Sequence, residues 1–453
     1  MPIRFILRDI RVRSIAVPLL LLMSYGVIAY ALLISNGMYL LRALAWIGIG
    51  WVMLVVAGMF FRMESGHLHV SKVIIRVACV VMILLSLLVA FPVTPGIYLH
   101  SLAFAERFQA LSFLLGLLTL IMLGISFTRF PRWISRGLFI VCLAFFASLY
   151  FGMLRASPSP VIDVFSMLRD SSTSLLHGLN PYTTPFVDPY GGNDNSWTTA
   201  VTLVYPPITL LPAVVGRMLT GDVRLLNAVS ILFVGLFLWW VVRRKDETTG
   251  QLLCLLWLAH PRGLFVLEQS WVDPGALAVL CIALLLLRPG FLRSAAATFG
   301  LFVSFKQYLV LAMFPALRIT RSLRSLLWFL LPAVLIALPF FIWDPAAFIQ
   351  NAILFQIKTA FRADSLTLAA YLFNEHSILL GKWWTLVIGF GVSGLTFLLP
   401  SIHQRTTLVF SFAIIFLSLF FLGTQGFCNY YYFACGLILM TLALMIGEEV
   451  EVG

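Results

Sequence analysis

Long apolar runs separated by short polar segments make up most of the chain and predict membrane-spanning helices. A helix needs about 20 mainly apolar residues to cross the hydrocarbon core of a bilayer. By that rule the sequence predicts about fourteen spans and an all-α polytopic membrane fold. The spans are placed near 14–35, 43–61, 73–91, 110–127, 137–154, 223–242, 250–267, 274–288, 294–305, 308–317, 325–342, 383–400, 406–423 and 430–447.

Two of these runs, 294–305 and 308–317, are too short to cross a bilayer alone. They predict a hairpin that turns inside the membrane around Lys306. Non-helical backbone at that depth is tolerated only inside the protein or beside a water-filled cavity. A lysine at that depth is also costly, so it indicates either a functional task or pairing with a carboxylate.

The composition indicates a lipid environment. Hydrophobic residues make up 61% of the chain and charged residues only 11%, whereas a soluble domain carries about 25% charged residues. The net charge of +12 comes from short basic clusters between apolar runs, which indicates basic cytoplasmic loops and not a nucleic-acid-binding domain. The six cysteines lie mostly inside apolar runs without ligand spacing, so we expect buried small side chains.

Basic clusters alternate with the other loops and predict the orientation of the spans. The positive-inside rule assigns the basic side, and with it both termini, to the cytoplasm. The N-terminus leads into an uncleaved first span. Segment 205–219 is short and contains three prolines, so we expect a helix lying in the outer interface of the cell membrane. The basic clusters lie near 4–13, 62–76, 129–136, 243–245, 288–293, 318–324 and 405.

Two long polar segments, 155–222 and 343–382, lie on the outer side in this topology. Asp163 follows the fifth predicted span and precedes a helical pattern that ends at Gly178. An aspartate in that position is commonly a helix N-cap. It is also a candidate base at the membrane surface.

Four further outer elements carry polar side chains in an otherwise apolar chain. Cations on the outer side are unusual, because membrane insertion favours positive charge on the cytoplasmic side. Each outer cation is therefore a candidate partner for a carboxylate or a phosphate. Together the elements predict one outer cavity lined by carboxylates, cations, amides and tyrosines. They are Glu268–Pro274 (EQSWVDP), Lys306–Tyr308 (KQY), Arg362–Ser365 (RADS) and Thr424–Tyr432 (TQGFCNYYY).

Sugar transfer from a lipid phosphate suits this set of groups. A carboxylate can take the proton of an acceptor hydroxyl, and cations can stabilise the departing phosphate. Amides, tyrosines and tryptophans bind sugar hydroxyls and ring faces, while the apolar walls of the spans can hold a polyprenyl tail. Nucleotide sugars are not available outside the cytoplasm, so a lipid-borne donor fits the location.

The pattern Asp163 … Gly178-Leu179-Asn180-Pro181-Tyr182 … Tyr205-Pro206-Pro207 resembles the first outer loop of GT-C fold glycosyltransferases. It is most similar to that of the bacterial polyprenol-phosphate-mannose-dependent mannosyltransferases. The resemblance covers roughly residues 137–445. It implies two interfacial helices, at about 164–178 and 205–219, and a catalytic aspartate at Asp163.

The same resemblance implies further site residues. These are an acidic residue at Glu268 or Asp273, a lysine at Lys306, and an aspartate–serine element at Asp364 and Ser365. The family's aspartate usually follows the first helix of the chain, whereas four predicted spans precede that helix here. The role of these four spans is left open.

The leading hypothesis is a membrane glycosyltransferase, inverting or retaining, with Asp163 as general base and no metal or cofactor. Its donor is a polyprenyl-phosphate sugar, with mannose as the first choice, and its acceptor is an extracytoplasmic lipid or glycan. We divide the chain into an N-terminal four-span extension (1–136), a catalytic core (137–342) and an outer loop with C-terminal spans (343–453). The expected substrate-binding residues are Arg155, Asn180, Tyr182, Tyr205, Glu268, Gln269, Asp273, Lys306, Gln307, Arg362 and Asp364.

Two alternatives share the outer cavity. One is a transporter or flippase for a lipid-linked saccharide, which would also place charge inside the membrane. Such transporters are commonly built from internal repeats with matched broken helices, and the two halves of this chain show no such repeat. The other is a polymerase or ligase of lipid-linked glycans.

Overall fold

The protein is helical throughout the part that the structure describes. A computed structural model describes residues 10–63, 72–90, 94–100, 102–128, 131–190, 201–317, 322–396 and 404–448. No strand occurs in these ranges, where the β-type pairing is a single antiparallel bridge between Met38 and Ser365. Parts of the basic clusters near 4–13, 62–76, 129–136 and 318–324 lie outside the described residues.

The helices follow one another along the chain, mostly with short connections, the longest of which spans residues 177–206. The α-helices are α1 (Ile10–Ser35), α2 (Leu41–Met63), α3 (Lys72–Ala90), α4 (Leu102–Ser126), α5 (Arg132–Ala156), α6 (Asp163–Leu176), α7 (Pro207–Thr220), α8 (Leu225–Val242), α9 (Glu247–Leu258), α10 (Gly263–Glu268), α11 (Asp273–Leu286), α12 (Leu292–Val303), α13 (Met313–Leu317), α14 (Leu323–Trp343), α15 (Pro345–Phe348), α16 (Phe355–Lys358), α17 (Leu368–His376), α18 (Trp383–Thr396), α19 (Gln404–Leu422) and α20 (Cys428–Gly447). A 3-10 helix, Gln307–Ala312, precedes α13, and a π-helical segment, Ile349–Leu354, joins α15 to α16.

Eight of the described helices are long and apolar enough to cross a membrane. They are α1, α2, α4, α5, α8, α14, α19 and α20. Shorter apolar helices include α7, α11, α12 and α18. The all-α, multi-pass membrane class is therefore confirmed, whereas the number of about fourteen spans stays a prediction.

Helix α20 forms the centre of the bundle, and α14 lies at its edge. In the most apolar stretch of α20, 89% of the residues are buried inside the protein. In the corresponding stretch of α14, only 11% are buried. Helices α1, α8, α11 and α19 pack around α20. Because an apolar helix that exposes most of its side chains needs lipid around it, α14 marks a lipid-facing side of the bundle.

The predicted span at 250–267 is wrong as a single helix. Helix α9 ends at Leu258 and α10 begins at Gly263. The break coincides with the His260–Pro261 pair, because a residue that precedes proline is disfavoured in the helical region. The Nδ1 atom of His260 accepts a hydrogen bond from the Arg262 backbone N–H at 3.1 Å.

The break at Lys306 agrees with the sequence prediction. Helix α12 ends at Val303, and Lys306 has an extended backbone with φ −144° and ψ 152°. The 3-10 helix begins directly after it. The chain therefore interrupts its helical hydrogen bonding at the lysine, and places that side chain between two short helices.

The two short helices predicted in segment 155–222 are also confirmed as helices. Helix α6 covers most of the predicted 164–178. Gly178 follows the helix with a φ of 74°, a conformation that glycine adopts more readily than any other residue. Helix α7 covers most of the predicted 205–219 and starts at Pro207, a residue suited to the first helical turn. Helices α6 and α7 pack against each other.

The first four helices pack directly against later ones. Helix α1 contacts α20, α2 contacts α19, and α3 contacts α9. The side chain of Arg262, which is only 4% exposed, donates a hydrogen bond of 2.7 Å to the backbone carbonyl of Leu33 near the end of α1. The division at 1–136, 137–342 and 343–453 stays a prediction.

The loop between α1 and α2 reaches across to the C-terminal part of the chain. The backbone N–H of Tyr39 donates to the Asp364 carbonyl at 2.7 Å, and its hydroxyl donates to Glu375 at 2.9 Å. Gly37 has a φ of 79°, and a Cβ atom there would lie 2.1 Å from the backbone nitrogen of Cys428. Only glycine fits at this crossing.

Ion pairs among the described residues join loops that the sequence assigned to the same side. Arg76 pairs with Asp246 at 2.7 Å, and Arg136 pairs with Glu247 at 2.6 Å. All four residues belong to loops assigned to the cytoplasmic side. The grouping of these loops agrees with the predicted alternation of basic and other segments.

Close packing of α12 on α14 generates a stability prediction. A Cβ atom at Gly300 in α12 would lie 1.7 Å from the Phe329 carbonyl oxygen in α14. We expect Gly300→Ala to destabilise the protein by about 1–3 kcal/mol through overpacking. The measurement is the midpoint of thermal unfolding of the purified protein in detergent.

The matched control for that substitution is Gly137→Ala in α5. No atom lies within 4 Å of a Cβ atom built at Gly137, and alanine is the better helix former by about 1 kcal/mol. Its unfolding midpoint should equal or exceed that of the wild type. Equal midpoints for the two variants would contradict the packing argument.

Candidate functional site

A buried ion pair between Lys306 and Asp273 forms the centre of the candidate site. The Lys306 Nζ atom lies 3.0 Å and 2.9 Å from the two carboxylate oxygens of Asp273. The side chain of Asp273 is fully buried, and that of Lys306 is 4% exposed. Two charges at this depth persist only when their geometry is good and their remaining hydrogen-bonding capacity is used.

Further donors complete the environment of the Asp273 carboxylate. The Tyr308 hydroxyl donates to one oxygen at 2.7 Å, and the Asn429 amide donates to the other at 2.8 Å. Asp273 is also the first residue of α11, where the helix dipole favours a negative charge. Each carboxylate oxygen therefore receives two side-chain hydrogen bonds.

Three tyrosine rings surround the ammonium group of Lys306. Its Nζ atom lies 5.7, 5.6 and 5.2 Å from the ring centroids of Tyr205, Tyr308 and Tyr430 respectively. Aromatic faces attract a cation over such distances. The lysine therefore lies in a pocket built from three separate segments of the chain.

Two of the predicted binding residues hold the backbone around Tyr205. The Tyr182 hydroxyl donates to the Tyr205 carbonyl at 2.7 Å. The Gln307 amide donates at 2.9 Å to the carbonyls of both Val204 and Ala352. Tyr182 thus acts on the backbone through buried contacts, whereas Gln307 also borders the adjacent cavity.

A cavity of about 1030 Å³ opens beside this lysine. Lys306, Tyr205, Tyr308 and Tyr430 line one end of it. Most of its remaining wall is apolar and comes from α14, α18, α19 and the segment around the 3-10 helix. The shape therefore combines a polar, positively charged end with an apolar channel.

The apolar part of the cavity runs between α14 and α18. Ala333, Ile336 and Ala337 line it from α14, and Leu386 and Phe390 line it from α18. Helix α14 packs on α12 and α7, whereas α18 packs on α19 and α13. Both helices also carry strongly exposed apolar side chains, so an apolar chain could pass between them from a surrounding lipid phase.

Asp163 lies at the start of α6. Its side chain is half-buried, and its Oδ1 atom accepts a hydrogen bond from the Val164 backbone N–H at 2.8 Å. Its own backbone N–H donates to the Tyr190 hydroxyl at 3.4 Å. Tyr205 interacts electrostatically with both Asp163 and Asp273. Both carboxylates therefore lie within electrostatic range of one tyrosine.

Arg362 and Asp364 form a second ion pair near Asp163. The Arg362 guanidinium makes two hydrogen bonds to Asp364, of 2.7 and 2.6 Å. Burial lowers the pKa of Arg362. The hydrogen bonds and charge of Asp364, together with the charge of Asp163, raise this pKa by more than burial lowers it, so the net shift is upward. Arg362 is therefore a permanent cation that faces Asp163 as well as Asp364.

Helix α6 is held in place by a buried arginine. The Arg224 guanidinium lies 5.1 Å from the Phe165 ring centroid in α6 and donates to the Leu154 carbonyl in α5 at 3.1 Å. It also pairs with Asp222 at 2.7 Å. These contacts fix the helix start, and with it Asp163, relative to the end of α5.

The structure uses several other predicted binding residues differently. Glu268 is fully buried and binds backbone N–H groups, with Gln269 donating to it at 3.3 Å. The Asn180 side chain accepts a hydrogen bond from the Tyr182 backbone N–H within a turn. Arg155 is exposed at the end of α5 and has no ion-pair partner among the described residues. None of the four lines the large cavity.

For four side chains near the site, three tyrosines and one asparagine, the sequence predicted no individual role. Asn429 and Tyr430 lie in the polar segment that the sequence assigned to the outer cavity, but without individual roles. Tyr190 and Tyr98 were not predicted. Burial and the negative charge of Asp163 raise the pKa of Tyr190 to about 12, so its hydroxyl keeps its proton at neutral pH.

The described residues contain no group of three or more His, Cys, Asp or Glu side chains that could hold a metal ion. The six cysteines are buried and unpaired, as the sequence indicated. Comparisons of the chain with protein families, with curated proteins and with solved structures found no match. The chemistry of the site therefore rests on its own geometry.

The buried pair generates a prediction about coupling. Asp273→Asn leaves the Lys306 charge buried without its counter-ion, and we expect it to destabilise the protein by about 3–5 kcal/mol. Lys306→Met should also destabilise, because it leaves the buried Asp273 carboxyl group without its cationic partner. The double variant should lose less stability than the two single losses combined. Unfolding by denaturant in detergent measures all three.

The matched control is the ion pair of Arg136 with Glu247, whose arginine side chain is 58% exposed. Its cycle, with Arg136→Met and Glu247→Gln, should give a much smaller coupling than the buried pair, because solvent screens exposed pairs. Additive losses at the Lys306–Asp273 pair would contradict the assignment of a coupled buried pair.

Proposed function

We propose that the protein is a glycosyltransferase that moves a sugar from a polyprenyl-phosphate donor to a hydroxyl acceptor outside the cytoplasm. The observation that carries this proposal is the cavity beside Lys306, which joins an apolar channel to a cationic, tyrosine-lined end. A lipid phosphate has the same two parts. Mannose is the first choice of sugar because of the resemblance to polyprenol-phosphate-mannose-dependent enzymes.

Lys306 is well suited to bind the donor phosphate. An ammonium group has three N–H donors, and two close contacts of Lys306 go to the oxygens of Asp273. Lys306 also lines the cavity, so its remaining donor is available to an anion. Asp273 then serves to hold the lysine in place, not to bind the acceptor.

Asp163 is the proposed general base. Its carboxylate takes the proton of the acceptor hydroxyl, the freed oxygen forms a bond to the anomeric carbon, and the bond from that carbon to the phosphate oxygen breaks. The electron pair of the broken bond leaves with polyprenyl phosphate. Lys306 and Arg362 stabilise the charge that develops on the phosphate.

Transport of a lipid-linked saccharide is the alternative from another class. Both functions use an apolar channel with a cationic end, but transfer also needs a carboxylate that takes the proton of the acceptor hydroxyl. The half-buried Asp163, which interacts electrostatically with the tyrosine that borders Lys306, favours transfer. The proposal also carries the predicted orientation, with the site on the extracytoplasmic face of the cell membrane.

The test is sugar transfer by the purified chain in liposomes. Asp163→Asn should lower kcat at least about 100-fold, because general-base catalysis contributes about 10²–10⁴-fold. The KM for polyprenyl-phosphate mannose should change little, since Asp163 does not line the cavity. The measurement follows labelled mannose from the donor into product, together with the release of polyprenyl phosphate.

Asp344→Asn is the matched control. Asp344 caps α15 by accepting a hydrogen bond from the Ala347 backbone N–H at 2.9 Å, and asparagine caps a helix equally well. Its activity should equal that of the wild type. Full activity of a well-folded Asp163→Asn variant would remove Asp163 from the mechanism. Movement of the donor across the bilayer without bond formation would favour transport.

A further inference from the structure

The loop between α3 and α4 is tied to the catalytic part of the chain by Glu268. One oxygen of the Glu268 carboxylate accepts a hydrogen bond from the Ile97 backbone N–H at 2.6 Å, and the other accepts from Tyr98 at 2.8 Å. A Cβ atom at Gly96 would lie 2.4 Å from a Glu268 oxygen. The carboxylate therefore lies directly against the backbone of residues 96–98.

A second contact holds the far end of the same loop. The His100 backbone N–H donates to the Ala156 carbonyl, the last residue of α5, at 2.9 Å. The loop is thus fixed at two points, one on each side of Tyr98. Helix α5 leads to Asp163 within seven residues, so the loop and the proposed base share one support.

The fixed loop holds Tyr98 near the end of α5, within electrostatic range of Asp163. Its side chain is half-buried. Burial raises the pKa of Tyr98, and the charges of Glu268 and Asp163 raise it further. Tyr190, whose hydroxyl accepts from the Asp163 backbone N–H, also interacts with Tyr98. Two tyrosines from distant parts of the sequence therefore flank one carboxylate.

This group lies apart from the donor cavity. Asp163, Tyr98, Tyr190 and Glu268 are absent from the residues that line the cavity, whereas Tyr205 lines it and interacts with Asp163. A base that takes a proton from the acceptor must contact the acceptor hydroxyl directly or through one water. The side of Asp163 that carries Tyr98 and Tyr190 is therefore the candidate side for the acceptor.

We propose that the loop at 94–100 forms the acceptor side of the site, with Tyr98 contacting the acceptor and Glu268 as the positioning residue that holds the loop. The inference rests on the proposed transfer function and assigns a role to the N-terminal four helices. Glu268 suits the role because a buried carboxylate with two backbone N–H donors fixes the loop more rigidly than a neutral group does.

The experiment measures acceptor and donor kinetics separately, with polyprenyl-phosphate mannose as donor and n-octyl α-mannopyranoside as the acceptor probe. Tyr98→Ala should raise the KM for octyl mannoside about tenfold, the loss expected from one good contact. The KM for the donor should stay within about twofold of the wild-type value. Release of mannose to water should continue, because the donor and the base are intact.

Substitutions at Glu268 should give a graded version of the same effect. Glu268→Gln keeps one oxygen acceptor for a backbone N–H, whereas Glu268→Ala keeps none. The KM for octyl mannoside should rise in the order wild type, Gln, Ala, with donor KM unchanged. Asp344→Asn is again the control, since Asp344 caps α15 outside this loop and should leave both KM values unchanged.

Binding of octyl mannoside, measured by saturation-transfer NMR without donor, separates this inference from the proposed function. Weaker binding in Tyr98→Ala supports the acceptor loop even if the wild type transfers no mannose, an outcome that removes only the transfer function. Transfer by Tyr98→Ala with unchanged acceptor KM and binding overturns the inference and leaves the function intact. Equal rises in the KM values of donor and acceptor also overturn it, and unfolding midpoints identify a variant that is misfolded.

Discussion

The ion pair between Asp273 and Lys306 is the constraint on which the site depends. A lone charge at this depth would lose far more solvation energy than one contact returns, so each partner persists only with the other in place. Their pairing requires the helix break before the lysine, the start of α11 at the aspartate, and Asn429 at the start of α20. Three segments that are distant in sequence must therefore meet at one point.

Interruptions of the helices supply most of the polar groups in the structure. The breaks after α9, after α10 and after α12 each leave backbone groups that need partners in an apolar surrounding. Arg262 binds a carbonyl of α1, and Gln307 binds the carbonyls of two other segments. The polar side chains at these breaks thus satisfy backbone groups first, and the few with remaining capacity line the cavity.

Apolar run length and local turn chemistry made the helices predictable, and the lysine in a short apolar hairpin made the centre of the site predictable. The role of Glu268 was not predictable from the sequence. Its backbone partners lie 171 and 170 residues away, and no local pattern reveals which backbone a carboxylate will contact. Asp273 carries the same type of charge five residues later, yet it pairs with a lysine. Tyr98 was missed since its loop belongs to helices whose packing on the core only the three-dimensional structure reveals.

The crossing of Gly37 over Cys428 has a consequence for biosynthesis. The contact joins the first helical hairpin to the helix that is translated last among those described, and Asn429 and Tyr430 follow directly in that helix. A nascent chain that has inserted every earlier helix still lacks one partner of the buried carboxylate and one ring around the lysine. An incompletely synthesised protein therefore lacks the complete environment of the Asp273–Lys306 pair.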